Sequence, residues 1–257
     1  MQPVKASEID PHALSKTFQE LAPKRGFRVE EFGRVAGFPL IALTKRTPGV
    51  RPRIYLSGGI HGDEPAGPMT LLQLLQDDFF AAQANWFICP MLNPVGLARG
   101  IRENADGIDL NRDYRNTPKS AEIRAHVAWL ARQPRFDAAL CLHEDWEFPG
   151  FYVFELNYKN RRSIAEALIE DVSKVCSIEL REIIDEREAK QGIIRPSIGP
   201  AEREQWPEAI YLSEHHTDLC FTTESPSSQP MPMRVAAQSA AIGVVVRETE
   251  EERRSEK

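Results

Sequence analysis

Hydrophobic positions along the chain follow two alternating rhythms. Helical spacing over Ile9–Leu21, with Pro11 near its start and Pro23 and Gly26 past its end, predicts an opening helix. Two alternating runs follow, Phe27–Val35 and Phe38–Lys45, parted only by Ala36-Gly37, and predict an antiparallel hairpin. From there short apolar runs take turns with helical patterns. Arg53–Ser57 reads as a strand stopped by Gly58-Gly59, and Pro65–Phe80 as a helix with leucines at 71, 72, 74 and 75. Trp86–Met91 is a second such strand. Ser120 is placed to cap a helix with Ile123, Val127 and Leu130 on one face, ending at Pro134. Phe136–Leu142 reads as a buried strand, Phe151–Leu156 as an edge strand, and Arg161–Cys176 as a helix capped at Ser163. Leu219–Thr223 is a last buried strand and Met231–Val246 a last helix. The tail, RETEEERRSEK, reads as a solvated, fraying helix end. Val95–Thr117 is polar and has no period, and loops of that length inside compact domains are functional or disordered.

Strands alternating with helices predict an α/β fold of three layers. A mixed, mostly parallel central sheet carries helices on both faces. No compositional break follows Arg53, so residues 1–257 are read as a single domain, with a helix and hairpin over 1–50 and a charged tail over 247–257.

Composition narrows the function. A chain with 42% hydrophobic and 27% charged residues is neither collagen-like, coiled coil nor wholly disordered. Lys and Arg number 32 against 38 Asp and Glu, a net charge of -6, which argues against nucleic acid as a partner. The four cysteines form no C-x-x-C pair, so no cysteine zinc ribbon or dithiol motif is expected, and a reducing compartment is. The N-terminus has no apolar signal core, and Ala240–Val246 is too short to cross a bilayer. The expectation is a cytoplasmic protein without a membrane partner.

Three polar clusters follow predicted strands: His61-Gly62-Asp63-Glu64, then His143, then Glu224. Ligands of open α/β sheets bind outside the carboxyl ends of strands, so these side chains can converge. His61 and Glu64 on a glycine-rich turn, with a distant histidine, make a set of two nitrogens and one oxygen, the pattern of a catalytic zinc with an open position. The competing reading makes them loop residues at a helix start, where the dipole favours Glu. Asn93-Pro94, Arg102 and Asp109-Leu110-Asn111-Arg112 supply forked donors suited to a carboxylate, or else a solvated loop with an internal Asp109–Arg112 pair. The acidic run Glu144, Asp145 and Glu147 is expected to be a solvated loop, although it could hold a cation, repel acidic substrates or favour a basic group. His215 and His216 are expected to be structural or exposed.

Taken in order, these segments resemble the zinc metallocarboxypeptidases of the M14 type from about Arg53 to Glu224, most closely the short bacterial branch that includes murein peptide amidase. The resemblance implies a zinc-peptidase/phosphorylase-hydrolase-like fold and one zinc ion. It also implies cleavage of the C-terminal amide or peptide bond of a small peptide with a free carboxylate. By the same resemblance His61, Glu64 and His143 are the metal ligands, and Glu224 is the base that activates the zinc-bound water. Arg102 stabilises the oxyanion, Asn111 and Arg112 grip the terminal carboxylate, and Asp109 orients His61. Tyr211 is the nearest match to a tyrosine on a mobile loop that closes over substrate. Succinylglutamate desuccinylases and aspartoacylases share the H-G-x-E turn, the Asn-Pro and the D-L-N-R stretch, but carry an extra β-rich segment after the base. Here 33 residues follow Glu224 and read as a helix and a tail, which favours the carboxypeptidase branch. An N-acyl amino acid deacylase is the second reading, and a non-catalytic peptide-binding relative the third. Family analogy also points to cell-wall peptides, such as a γ-D-glutamyl–diaminopimelate link.

Overall fold

The computed structural model describes residues 9–255, so the first eight residues of the predicted N-terminal unit and the last two of the tail lie outside the described residues. Helix α1 (Pro11–Leu21) starts at Asp10, whose carboxylate accepts the His12 N–H at 2.9 Å. Strands β1 (Arg28–Val35) and β2 (Phe38–Lys45) form the expected hairpin. Its two turn residues, Ala36 and Gly37, both have positive φ, the twist that a two-residue hairpin turn needs.

The remaining elements are β3 (Arg53–Gly58), α2 (Ala66–Gln76), β4 (Asn85–Cys89), α3 (Pro94–Arg99), α4 (Ala121–Leu130), β5 (Ala138–Asp145), β6 (Tyr152–Leu156), α5 (Ala165–Ser173), β7 (Ile183–Ile184), β8 (Arg187–Lys190), β9 (Ile193–Ile194), α6 (Glu208–His215), β10 (Cys220–Pro226) and α7 (Met231–Ser255). They build one ten-stranded sheet in the order β1-β2-β4-β3-β5-β10-β6-β9-β8-β7. Its centre, β4-β3-β5-β10, is parallel, and antiparallel pairs flank it on both sides. Side chains alternate across the sheet, so Ile54 and Leu56 face α1, α2, α5 and α7, while Tyr55 faces α4 and α6. The result is the three-layer α/β fold that the pattern of strands and helices predicts. All four cysteines are free and buried, as small apolar side chains would be.

Four expectations need correction. Strand β6 is interior, paired with β10 on one side and β9 on the other. The covering strand β9 has two residues, too few to leave a period in the sequence. The segment 95–117 is not one irregular loop: α3 takes its start, and a single 3₁₀ turn covers Leu110–Arg112. Helix α2 stops at Gln76, four residues before Phe80, because Asp78 adopts φ 57 and the chain turns Phe80 into the core. The charged tail does not fray. It continues α7 and docks, with Glu248 and Thr249 buried and ion pairs from Arg162 to Glu248 (2.9 Å), Arg161 to Glu252 (2.5 Å) and Arg253 to Asp137 (2.6 Å). Among the described residues no helix is long and apolar enough to cross a membrane.

Candidate metal centre and active site

Strand β3 leads into the turn that carries His61 and Glu64. Gly59 takes φ 62, a conformation that side chains resist. Gly62 is needed for space: a Cβ there would come within 1.9 Å of the Gly96 carbonyl carbon. That close approach seats the turn on α3. The Arg102 carbonyl reinforces it by accepting from the Gly62 N–H (3.4 Å) and from the Asn93 side-chain amide (3.2 Å). His143 comes from the carboxyl end of β5. Glu224 lies on β10 as its register partner, one strand away.

His61, Glu64 and His143 are all buried, and one ligand atom of each lies within 4.8 Å of the others. Both imidazoles turn Nδ1 toward the Glu64 carboxylate, His61 at 2.5 Å from Oε1 and His143 at 2.8 Å from Oε2. The far nitrogen of His61, Nε2, meets Asp109 Oδ1 at 3.2 Å. Two imidazole nitrogens and a carboxylate, aimed at one point and with one ring held from behind, fit a divalent ion of borderline softness such as zinc.

The electrostatics agree with a cation site. Burial pushes the His61 pKa down, but the Glu64 charge and hydrogen bonds with Asp109 and Glu64 outweigh it and raise the pKa to about 9. Burial pushes Glu64 up, yet the two histidines hold its carboxyl well below the usual carboxylate range. Asp109 is likewise raised by burial and lowered more by His61, Arg102 and Arg112. Glu224 moves the other way. Burial and the negative charges of Glu64 and Asp145 lift its pKa well above the ordinary value, against the pull of Arg102.

Arg102 sits at the centre of this group. Its Nε donates to Asp109 Oδ2 at 3.0 Å, and its Nη1 lies 3.2 Å from His61 Nδ1 and 3.5 Å from Glu64 Oε1. Asp109 is therefore committed to Arg102 and His61, and the Asp109–Arg112 pair of the solvated-loop alternative does not form among the described residues. Arg112 donates to the Asn111 carbonyl at 2.8 Å and has no carboxylate partner among the described residues. Asn111 Oδ1 is occupied by the Glu208 N–H at 2.8 Å, which leaves its amide nitrogen as the free end. His61, Glu64, Arg102, Asn111, Arg112, His143 and Glu224 all line one cavity of about 470 Å³.

Tyr211 is not brought into this cavity. It lies on α6, half-buried, with its ring 5.6 Å from Tyr114 and 4.7 Å from His215. The phenol that lines the cavity is Tyr152, opposite Glu224 in the β10–β6 register and hydrogen-bonded to Asp145. Its only sequence signal is its place in β6, two residues before Phe154 on the same face. The solvated-loop expectation holds for Glu147, which is exposed, and fails for Glu144, which is buried against Arg234 because the carboxylate points into the fold from the end of β5. His215 is exposed and His216 buried at the end of α6, and neither lines the cavity.

Comparison with known proteins gives the family and the fold. Residues 50–182 match the succinylglutamate desuccinylase/aspartoacylase catalytic domain. Carboxypeptidase SOL1 of Arabidopsis thaliana is 34% identical over 134 residues, which is 42% of this chain and 27% of that protein. The N-alpha-acetyl-L-2,4-diaminobutyric acid deacetylase of Halomonas elongata is 33% identical over 112 residues, 42% of this chain and 32% of its own length. The chain thus aligns with about a third or less of these curated relatives. A crystal structure from Shewanella amazonensis SB2B, assigned to the metallopeptidases, superposes with a TM-score of 0.82 at 22% identity, covering 96% of this chain and 99% of that one, a likeness of fold.

Proposed function

We propose a function from this premise: the chain belongs to the succinylglutamate desuccinylase/aspartoacylase catalytic-domain family, and it is a metal-dependent hydrolase that cuts an amide bond beside a free carboxylate, in the manner of a carboxypeptidase. One observation carries the reading. A buried His-Glu-His donor set shares its cavity with a raised-pKa carboxyl group, Glu224, and with a guanidinium, Arg112, that has no carboxylate partner among the described residues.

In this reading His61, Glu64 and His143 hold one zinc ion. When bound, the ion supplies Lewis acidity that readies water for attack near neutral pH and polarises the scissile carbonyl. Glu224 takes the proton from the attacking water and passes it to the leaving amine, and a carboxyl group raised by burial is suited to both steps. Arg102 presents Nη1 to the negative charge that develops on the carbonyl oxygen, a role in which one donor is worth about 3–4 kcal/mol. Arg112 takes the substrate carboxylate with its fork, and the free amide nitrogen of Asn111 adds a second donor. Asp109 keeps His61 protonated at Nε2 and so leaves Nδ1 free for the ion. The whole chain, 1–257, acts as one catalytic domain, and its buried, unpaired thiols support a cytoplasmic setting.

A second reading is a deacylase of N-acyl amino acids, favoured by the family match and by the Halomonas relative. Both reactions cut an acyl–NH–CHR–COO⁻ unit, and only the acyl group differs. The cavity of about 470 Å³ has room for a peptide, which favours the first. The zinc-loaded protein is to be assayed on short peptides, the same peptides amidated at the C-terminus, and N-acetyl amino acids. Cleavage of free-carboxylate peptides but not of amidated ones is expected. Faster cleavage of acetyl amino acids than of any peptide would move the assignment to the deacylase, and inertness toward all three would end both.

A further inference from the structure

Helix α7 packs against α2, β5 and β10, and sends two buried polar side chains one turn apart toward the elements that carry the site. Arg234 is 3% exposed and Gln238 0%. The Gln238 amide nitrogen donates to the His143 carbonyl at 2.7 Å and to the Ser225 hydroxyl at 3.2 Å, while its carbonyl accepts from the Thr223 hydroxyl. One side chain thus grips the backbone of His143 and both chain neighbours of Glu224.

Arg234 acts through Glu144. Its Nη1 donates to Glu144 Oε2 at 2.5 Å, and Glu144 Oε1 accepts from the Ala66 N–H at 2.6 Å. The Glu144 N–H donates to Glu64 Oε2 at 3.2 Å. The carboxylate therefore ties the first residue of α2, two residues past Glu64, to the strand end that bears His143.

Stability alone is a poor reason for this arrangement. A buried ion pair loses in desolvation about what it gains in attraction, and apolar residues of similar volume commonly serve as well. Arg234 Nε is even left buried without a partner. What the network does supply is geometry, because its bonds hold the His143 carbonyl, the Ala66 N–H and the hydroxyls on either side of Glu224 in place. We propose that Arg234, through Glu144, and Gln238 are positioning residues, which set the spacing of Glu64, His143 and Glu224. The inference rests on the hydrolase reading for the meaning of the site, but metal uptake tests it without any substrate.

Two variants separate positioning from packing. Gln238→Met keeps the volume and removes three hydrogen bonds. Glu144→Leu combined with Arg234→Met removes both charges together, so that neither is stranded. Each is to be compared with the wild-type chain by chelator competition for zinc, by the visible spectrum of the cobalt-substituted protein and by thermal melting. The expected result is that both variants fold, with a melting temperature lowered in Gln238→Met by the buried groups it leaves unpaired, zinc affinity lower by about 10–100-fold, and an altered cobalt spectrum. Once a substrate is in hand, kcat is expected to fall with KM unchanged. Wild-type affinity and an unchanged spectrum in both variants would overturn the inference while leaving the hydrolase reading intact. A wild-type chain that takes up no metal would overturn both. Gln238→Met introduces no unpaired charge, so it decides the matter even if the double variant fails to fold.

Discussion

His61 and His126 are both almost fully buried, 2% and 0% exposed, yet their protons are held in opposite ways. His61 faces two carboxylates, and they raise its pKa to about 9 in spite of burial. His126 lies on α4 between two phenols, Tyr55 at 2.9 Å and Tyr114 at 2.8 Å. Nothing there offsets burial, and its pKa falls to about 3. Because the Tyr55 hydroxyl donates to Glu208, the network assigns a proton to His126 Nε2 and leaves Nδ1 to accept from Tyr114. Between these two imidazoles the charge of the neighbours makes the difference, whereas at His143 burial outweighs the Glu64 carboxylate and lowers the pKa. The joint at His126 also serves the site, since Glu208 gives its N–H to Asn111.

The largest effect that would sharpen this contrast lies on the cavity side. Glu224→Gln is expected to lower turnover by about 10²–10⁴-fold while zinc content and melting temperature stay as in the wild type. A fully active Glu224→Gln protein would remove Glu224 from the role of base. Next comes Arg112→Met, expected to raise KM for substrates with a free carboxylate by about 10–100-fold, the worth of a charge-assisted hydrogen bond. Equal loss on amidated substrates would place the effect outside carboxylate recognition.

On the joint side the readout is stability and its pH dependence. His126 titrates near 3 when folded and near the ordinary 6.5 when unfolded. Between those values the unfolded chain binds more protons, so the contribution is complete above 6.5 and is lost as pH falls. About 2 kcal/mol is gone by pH 5. Urea unfolding of the wild type and His126→Gln at pH 7.5 and pH 5.0 checks this, because other groups cancel in the comparison. The variant is expected to be the less sensitive of the two to acid, and equal sensitivity would break the contrast. The smallest effect belongs to the Arg254–Glu250 pair, one turn apart on α7, whose arginine is exposed. Arg254→Ala is expected to cost at most about 0.5 kcal/mol by the same unfolding measurement.

The candidate site is legible wherever its signal is local. His61 and Glu64 share one turn, Asp109 to Arg112 share another, and His143 and Glu224 each end an apolar run. Readings that needed a distant partner went astray. Phe151–Leu156 looked like an edge because the two residues of β9 that cover it leave no pattern of their own. Tyr211 was singled out by its distance from Glu224 along the chain, whereas Tyr152 reaches the cavity by strand pairing with β10. Glu144 stood in an acidic run that looked solvated, and its partner Arg234 lies 90 residues away.

What the amino-acid sequence determined by itself is the alternation of strands and helices and the chemical kind of each donor, because periodicity and side-chain type are properties of short segments. Only the tertiary structure decided which donors share a cavity, which carboxylates are neutralised by a neighbour and which histidine is held neutral. Those outcomes depend on distances of a few ångströms between segments tens of residues apart, and at such distances local charge and burial set every protonation state.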